Sequence, residues 1–152
     1  MRMLAFLLAL CPTLAFGMDR LSALSMIETG DNDRMVGRAG EISRYQILKS
    51  EWRSVTNSAS YANAETAKEV ALILLARRVK AFEATYHRLP NDFEYYGLWN
   101  APAQVLTGRV SPVVAERCRR YSNLCEWTGV AKPIAKPIAA GPQSAPKVRK
   151  QS

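Results

Sequence analysis

Two carboxylates carry whatever acid/base chemistry this sequence offers. Glu28 closes the segment Ser22-Ala23-Leu24-Ser25-Met26-Ile27-Glu28-Thr29-Gly30. A carboxyl group placed where Met26 and Ile27 meet a glycine turn is partly withdrawn from water. Desolvation disfavours its charged form and moves its pKa toward the range of a general acid. Taken alone, the same pattern also describes a solvated glutamate at a helix end. Glu41, in Gly40-Glu41-Ile42-Ser43-Arg44-Tyr45-Gln46-Ile47, is a second candidate, with an ion pair to Arg38 or Arg44 as its structural alternative. Other chemistries find little support. His87 is the only histidine, so no zinc site can be assembled from the usual spacings. Asp31-Asn32-Asp33 begins like a calcium loop, but Met35 and Val36 occupy the next ligand and glycine positions. There is no glycine-rich phosphate loop and no Gly-x-Ser-x-Gly elbow. No cofactor and no metal are expected.

The elements that must hold these residues read as helices. Leu21, Leu24 and Ile27 recur at helical spacing over Asp19 to Ile27, and Gly30 can end that helix. Residues 30–41 hold three glycines and several polar groups and read as a loop. Ile42 to Leu48 alternates too briefly to separate strand from turn. A short helix is expected over Lys49 to Val55, anchored by Trp52. The longest should run from Ala64 to Tyr86, with Ala67, Val70, Ala71, Leu74, Phe82 and Tyr86 on one stripe. Ile73 and Leu75 lie off that stripe, which predicts burial on more than one side. Asn91 can cap a helix starting at Asp92, and Ser111-Pro112 can open another. The fold class expected is mainly α, with four or five helices and little or no strand.

The ends of the chain differ from its middle. Residues 1–17, MRMLAFLLALCPTLAFG, have the basic start, short apolar run and small residues before a cut that mark a secretory signal peptide. The run is shorter than the roughly 20 residues of a membrane span, so no stable transmembrane anchor is expected. Export, to the periplasm or beyond, would place Cys118 and Cys125 in an oxidising compartment where a disulfide can form. Seven residues of helix rise about 10.5 Å, whereas a disulfide needs Cα atoms about 4.4–6.8 Å apart. A bond would therefore require the helix to end between them, near Ser122-Asn123; two free buried thiols are the alternative. Residues 131–152 contain four prolines, a repeated Ala-Lys-Pro-Ile and no acidic or aromatic residue. Such a stretch is expected to be disordered. Its five basic residues and Arg2 account for six of the eight net positive charges of the 152-residue chain. Residues 18–130 are thus left close to neutral, and a nucleic-acid partner loses its support. The tail could instead hold the protein to anionic wall polymers.

The order of motifs resembles that of the lysozyme-like superfamily, most closely bacterial soluble lytic transglycosylases. In that family a helix ends in Ile/Ala-x-Glu-Ser-Gly, to which Ile27-Glu28-Thr29-Gly30 with the preceding residue is similar. About a dozen residues later comes Gly-Ala-x-Gly-Leu-Met-Gln-Ile, resembled by Gly40 to Ile47 with matches at Gly40, Gln46 and Ile47. An asparagine-initiated helix follows, like Asn63 to Leu75. An Ala-Tyr-Asn-Ala-Gly motif resembles Leu98-Trp99-Asn100-Ala101-Pro102. The resemblance spans roughly residues 20–106. There are departures: Ser43 replaces a glycine, Arg44-Tyr45 replaces Leu-Met, and Glu41 replaces a small residue.

The resemblance implies a lysozyme-like helical domain over residues 18–130 that binds peptidoglycan glycan strands, acting as a monomer. Glu28 would be the catalytic acid/base, and Ser43, Tyr45, Gln46, Tyr95, Trp99 and Asn100 would bind substrate. The aromatic faces of Tyr45, Tyr95, Tyr96 and Trp99 would stack on sugars. Lytic transglycosylases use one glutamate and form a 1,6-anhydro product. Animal-type lysozymes carry an aspartate at the register of Glu41, so Glu28 with Glu41 would instead suit hydrolysis. Hydrolysing pairs lie about 5–5.5 Å apart for retention and about 6.5–9.5 Å apart for inversion. A third expectation is a non-catalytic wall- or glycan-binding protein, motivated by the altered Ser43-Arg44-Tyr45 segment.

Overall fold

The structure is a computed structural model, and it describes residues 18–126. Residues 1–17, expected to be a signal peptide, and the basic tail 131–152 lie outside the described residues. Among the described residues six helices follow in order: α1 (Arg20–Thr29), α2 (Lys49–Arg53), α3 (Ala64–Tyr86), α4 (Asp92–Asn100), α5 (Pro102–Leu106) and α6 (Pro112–Cys125). Among the described residues the β content is limited to two isolated antiparallel bridges, Val36 with Ile42 and Ile42 with Ile47. The mainly helical class expected from the sequence is the class observed.

Local chemistry sets each helix boundary. The Asp19 carboxylate accepts from the N–H groups of Leu21 and Ser22, and Gly30 closes α1 at φ +64°. That left-handed conformation is open to glycine at no steric cost. Asn63 caps α3 through the Thr66 N–H, and Asn91 forms a reciprocal capping box with Glu94. Ser111 caps α6 and Pro112 occupies its first turn. The fifth helix, α5, has no counterpart in the sequence pattern. Pro102 opens it immediately after α4, and its five residues are too few for a periodicity to show.

The middle helix organises the rest. α4 packs against α3, α5 and α6, while α1 packs against α6. Its run Tyr96-Gly97-Leu98-Trp99 is buried on every side, the pattern of a helix surrounded by others. Gly97 is part of this: a Cβ there would lie 2.5 Å from Val105 Cγ2. The main core gathers Leu24, Ile42, Ile47, Trp52, Val70, Leu74, Tyr96, Trp99 and Tyr121, and Phe82, Leu98 and Val105 form a smaller cluster. Leu75 is buried, whereas Ile73 is 43% exposed, so α3 is covered on more than one side only in part.

The disulfide is not formed. α6 runs without interruption through both Cys118 and Cys125, and both thiols are free. Seven residues of unbroken helix hold them too far apart. Cys118 is fully buried, and burial pushes its thiol pKa up to about 11.

Candidate active site

A cleft of about 490 Å³ opens beside the C-terminal end of α1. It is lined by Glu28, Arg38, Glu41 and Gln46 from the first half of the chain, and by Trp99, Asn100 and Arg117 further on. Five of the residues predicted for the site, Glu28, Glu41, Gln46, Trp99 and Asn100, therefore converge on one cavity. They come from α1, the 31–48 loop and the end of α4.

Glu28 is half-buried. The Tyr96 hydroxyl donates to its Oε1 at 2.9 Å. Burial raises the Glu28 pKa above the ordinary carboxylate value; the Tyr96 hydrogen bond and Arg117 oppose the rise, and Glu41 adds to it. Desolvation is the largest influence, as the Met26-Ile27-Glu28 context implied. The Tyr96 phenol is itself pushed up, first by burial and then by the adjacent Glu28. It therefore remains a donor. Its ring stacks on Tyr121 with centroids 5.2 Å apart, which fixes the direction of the hydroxyl.

The loop reaches Glu28 because its carbonyls are held from several sides. Ile42 and Ile47 exchange two backbone hydrogen bonds of 2.9 Å, closing a four-residue turn of Ser43 to Gln46. Thr29 Oγ1 donates to Arg44 O at 2.9 Å, and Trp99 Nε1 donates to Tyr45 O at 3.1 Å. Gln46 Nε2 donates to Ser43 O at 3.2 Å. Ser43 and Gln46 both adopt left-handed backbone, at φ +67° and +53°. This costs energy for residues other than glycine, and the surrounding hydrogen bonds offset it.

Several expectations about this loop are corrected. Arg44 does not pair with Glu41. Its guanidinium grips Asp33 in two contacts of 2.5 and 2.8 Å, with Asp31 at 3.7 Å. The acidic run that begins like a calcium loop serves as this anchor. Arg38 makes no ion pair among the described residues, and Glu41 Oε2 instead accepts from the Ala39 N–H at 2.9 Å. Ser43 and Tyr45 are buried at 2% and 4% exposure and do not line the cleft. The Ser43 hydroxyl accepts from the Tyr45 N–H inside the turn. Tyr95 points elsewhere too, packed between Arg20 and Tyr121. These three are structural residues. Trp99 does border the cleft but has no open face for a sugar. It is 7% exposed, and Arg78 covers its ring at 5.0 Å.

The residues that sequence reasoning missed are mostly arginines and their partners. Arg78 on α3 donates to the carbonyls of Leu98 and Trp99 at 3.3 and 2.9 Å and pairs with Glu51. It thereby satisfies the exposed carbonyl end of α4 and holds Asn100 at the cleft wall. Glu51 and Arg78 are 27 residues apart, so no local pattern could join them. Arg38, Leu48, Pro102 and Arg117 also line the cleft. Among the described residues no group of three or more histidine, cysteine, aspartate or glutamate side chains is placed to hold a metal ion. No helix among them is long and apolar enough to cross a membrane.

Gly37 is a further position that no sequence pattern singles out. A Cβ there would collide with Gln46 Oε1 and Glu41 Oε2. Both obstacles are ends of flexible side chains, so Gly37→Ala should leave the melting temperature nearly unchanged while displacing two cleft residues. If both act on a substrate, kcat/KM should fall roughly 10- to 100-fold. Unaltered steady-state kinetics in a normally folded Gly37→Ala protein would remove Glu41 and Gln46 from the site.

No protein-family model, curated protein or solved structure matches the chain. What the cleft can do is set by the groups that line it.

Proposed function

We propose that this chain is an exported enzyme that cleaves the β-1,4 bond between N-acetylmuramic acid and N-acetylglucosamine in peptidoglycan, by the lytic-transglycosylase route. One observation carries this reading. A carboxyl group with a raised pKa, held by a phenol donor, stands in a polar cleft with Glu41, Gln46 and Asn100. Glu28 in its acid form donates its proton to the glycosidic oxygen as the C1–O bond breaks. The resulting carboxylate is stabilised by the Tyr96 hydroxyl. It then takes the proton of the same sugar's 6-hydroxyl, whose oxygen bonds to C1. The acid is regenerated, the product is a 1,6-anhydro sugar, and no water is consumed.

Local geometry agrees with the sequence resemblance. Position 43, where the family has glycine, has φ +67° here, a conformation that favours glycine. The altered triplet Ser43-Arg44-Tyr45 is turned into the structure and away from the cleft. It therefore gives no particular support to a non-catalytic binder. Glu41 does line the cleft, which keeps a hydrolytic pair as the second reading.

Incubation of the purified protein with cell-wall sacculi, followed by mass spectrometry, tests both. Soluble muropeptides lighter by one water than the reducing products are expected, and Glu28→Gln should release none. Reducing products alone would assign Glu41 a hydrolytic role, and no soluble product would overturn the enzymatic reading.

Tyr96→Phe separates the two main influences on the Glu28 carboxyl. The lost hydroxyl stabilises the carboxylate, so its removal raises the Glu28 pKa further and moves the alkaline limb of the kcat/KM profile to higher pH. The carboxylate formed during bond cleavage also loses its donor, which should lower kcat about tenfold. An alkaline limb that does not move would mean that Tyr96 serves only to pack α4 against Tyr121.

A further inference from the structure

The cleft contains three guanidinium groups, those of Arg38, Arg78 and Arg117, and three carboxylates, those of Glu28, Glu41 and Glu51. They are not mutually neutralised. Arg78 is committed to Glu51 and to the end of α4. Glu41 is occupied by the Ala39 N–H and Glu28 by Tyr96. Arg38 and Arg117 have no ion-pair or hydrogen-bond partner among the described residues, and both are exposed. Arg117 also borders a side cavity of about 100 Å³ shared with Glu28, Tyr96 and Arg120. Its positive charge acts on the Glu28 carboxyl and lowers its pKa.

Hydroxyl and acetamide groups of a neutral glycan do not require a cation. A planar guanidinium is matched to a carboxylate, which it can bind through two parallel hydrogen bonds. We infer that Arg38 and Arg117 select peptide-bearing glycan strands through the free carboxylates of their peptides, over the same strands with those carboxylates converted to neutral amides. This rests on the glycan-cleaving reading of the same cleft. The two arginines come from the 31–48 loop and from α6, so the anionic substituents lie along the cleft next to Glu28. Glu41 in the same cleft repels these groups. Recognition thus depends on both arginines and weakens as salt rises.

The test compares peptide-bearing strands with the same strands after carbodiimide coupling to ammonia has converted their carboxylates to amides. Affinity and kcat/KM are both measured, for the wild type, Arg38→Gln, Arg117→Gln and the double variant. Wild type should favour the strands with free carboxylates over the amidated ones by roughly tenfold per arginine engaged. The ratio should drop in each single variant, recover in part in Arg117→Lys, and approach one in the double variant. Taking the ratio removes any effect of Arg117 on Glu28 that both substrates share. Equal treatment of the two strands by the wild type, or a preference that survives the double substitution, overturns the inference and leaves the enzymatic reading standing. An arginine-dependent affinity without turnover does the reverse.

Discussion

Glu28→Gln is expected to abolish muropeptide release and, at neutral pH, to raise the melting temperature by a few degrees. The loss of activity follows from the two proton transfers assigned to one group. General acid–base catalysis contributes about 10²–10⁴-fold per role, and an amide can neither give nor take the proton. The gain in stability follows from the raised pKa of Glu28, caused chiefly by desolvation. A carboxyl group whose folded-state pKa is raised binds its proton more tightly in the native state than in the unfolded chain. Its penalty is absent below the unfolded pKa. Stability then falls as pH rises through the interval up to the folded pKa, and stays reduced above it. Glutamine never ionises, and its amide oxygen can still accept from Tyr96. Thermal melts of both proteins should therefore diverge at neutral pH and converge in acid. A difference that grows toward acid, or a fully active variant, would refute the assignment.

The parts of this molecule that sequence makes legible are those whose causes are local. Asn63, Asn91, Ser111 and Gly30 mark helix ends by chemistry confined to three or four residues. α3 begins and ends where the periodicity places it. The place of Glu28 at the end of α1 is local as well, but its burial is not: Met26 is 40% exposed, and the groups against the carboxyl come from α4 and α6. What stays hidden depends on contacts between distant segments. The aromatic residues of the chain illustrate this: Trp99, Tyr45 and Tyr95 have the right type for sugar stacking, yet their faces are taken by Arg78, the core and Tyr121. Residue type alone does not reveal which face is spent. Gly37 is hidden for the opposite reason, since its role is to leave space for two side chains that arrive from elsewhere in the loop. The cysteines lie between these cases. Helical rise makes the disulfide depend on a break in α6, and the helix has none.

Trp52→Ala is expected to cost more stability than Gly37→Ala or Tyr96→Phe, and to damage the cleft from behind. α2 has only five residues and no side-chain cap, so it cannot persist without tertiary anchoring. Trp52 is that anchor. It is fully buried, meets Tyr61 edge-on at 5.3 Å and donates from Nε1 to Ser58 O at 2.8 Å. Truncating such a residue costs about 3–5 kcal/mol from a total of about 5–15 kcal/mol. The melting temperature should fall by on the order of 15 °C or more. Trp52→Phe restores most of the packing but leaves the Ser58 carbonyl without its donor, at about 1–3 kcal/mol, so it should fall between the two. The consequence for function runs through the neighbouring residue. Glu51 pairs with Arg78, which holds the end of α4 and covers Trp99. Loosening α2 frees Arg78 and lets Asn100 drift from the cleft wall. Cleavage by Trp52→Ala should therefore be reduced even at temperatures where near-ultraviolet circular dichroism shows the protein folded. Full activity under those conditions would mean that α2 supports the fold without positioning the cleft.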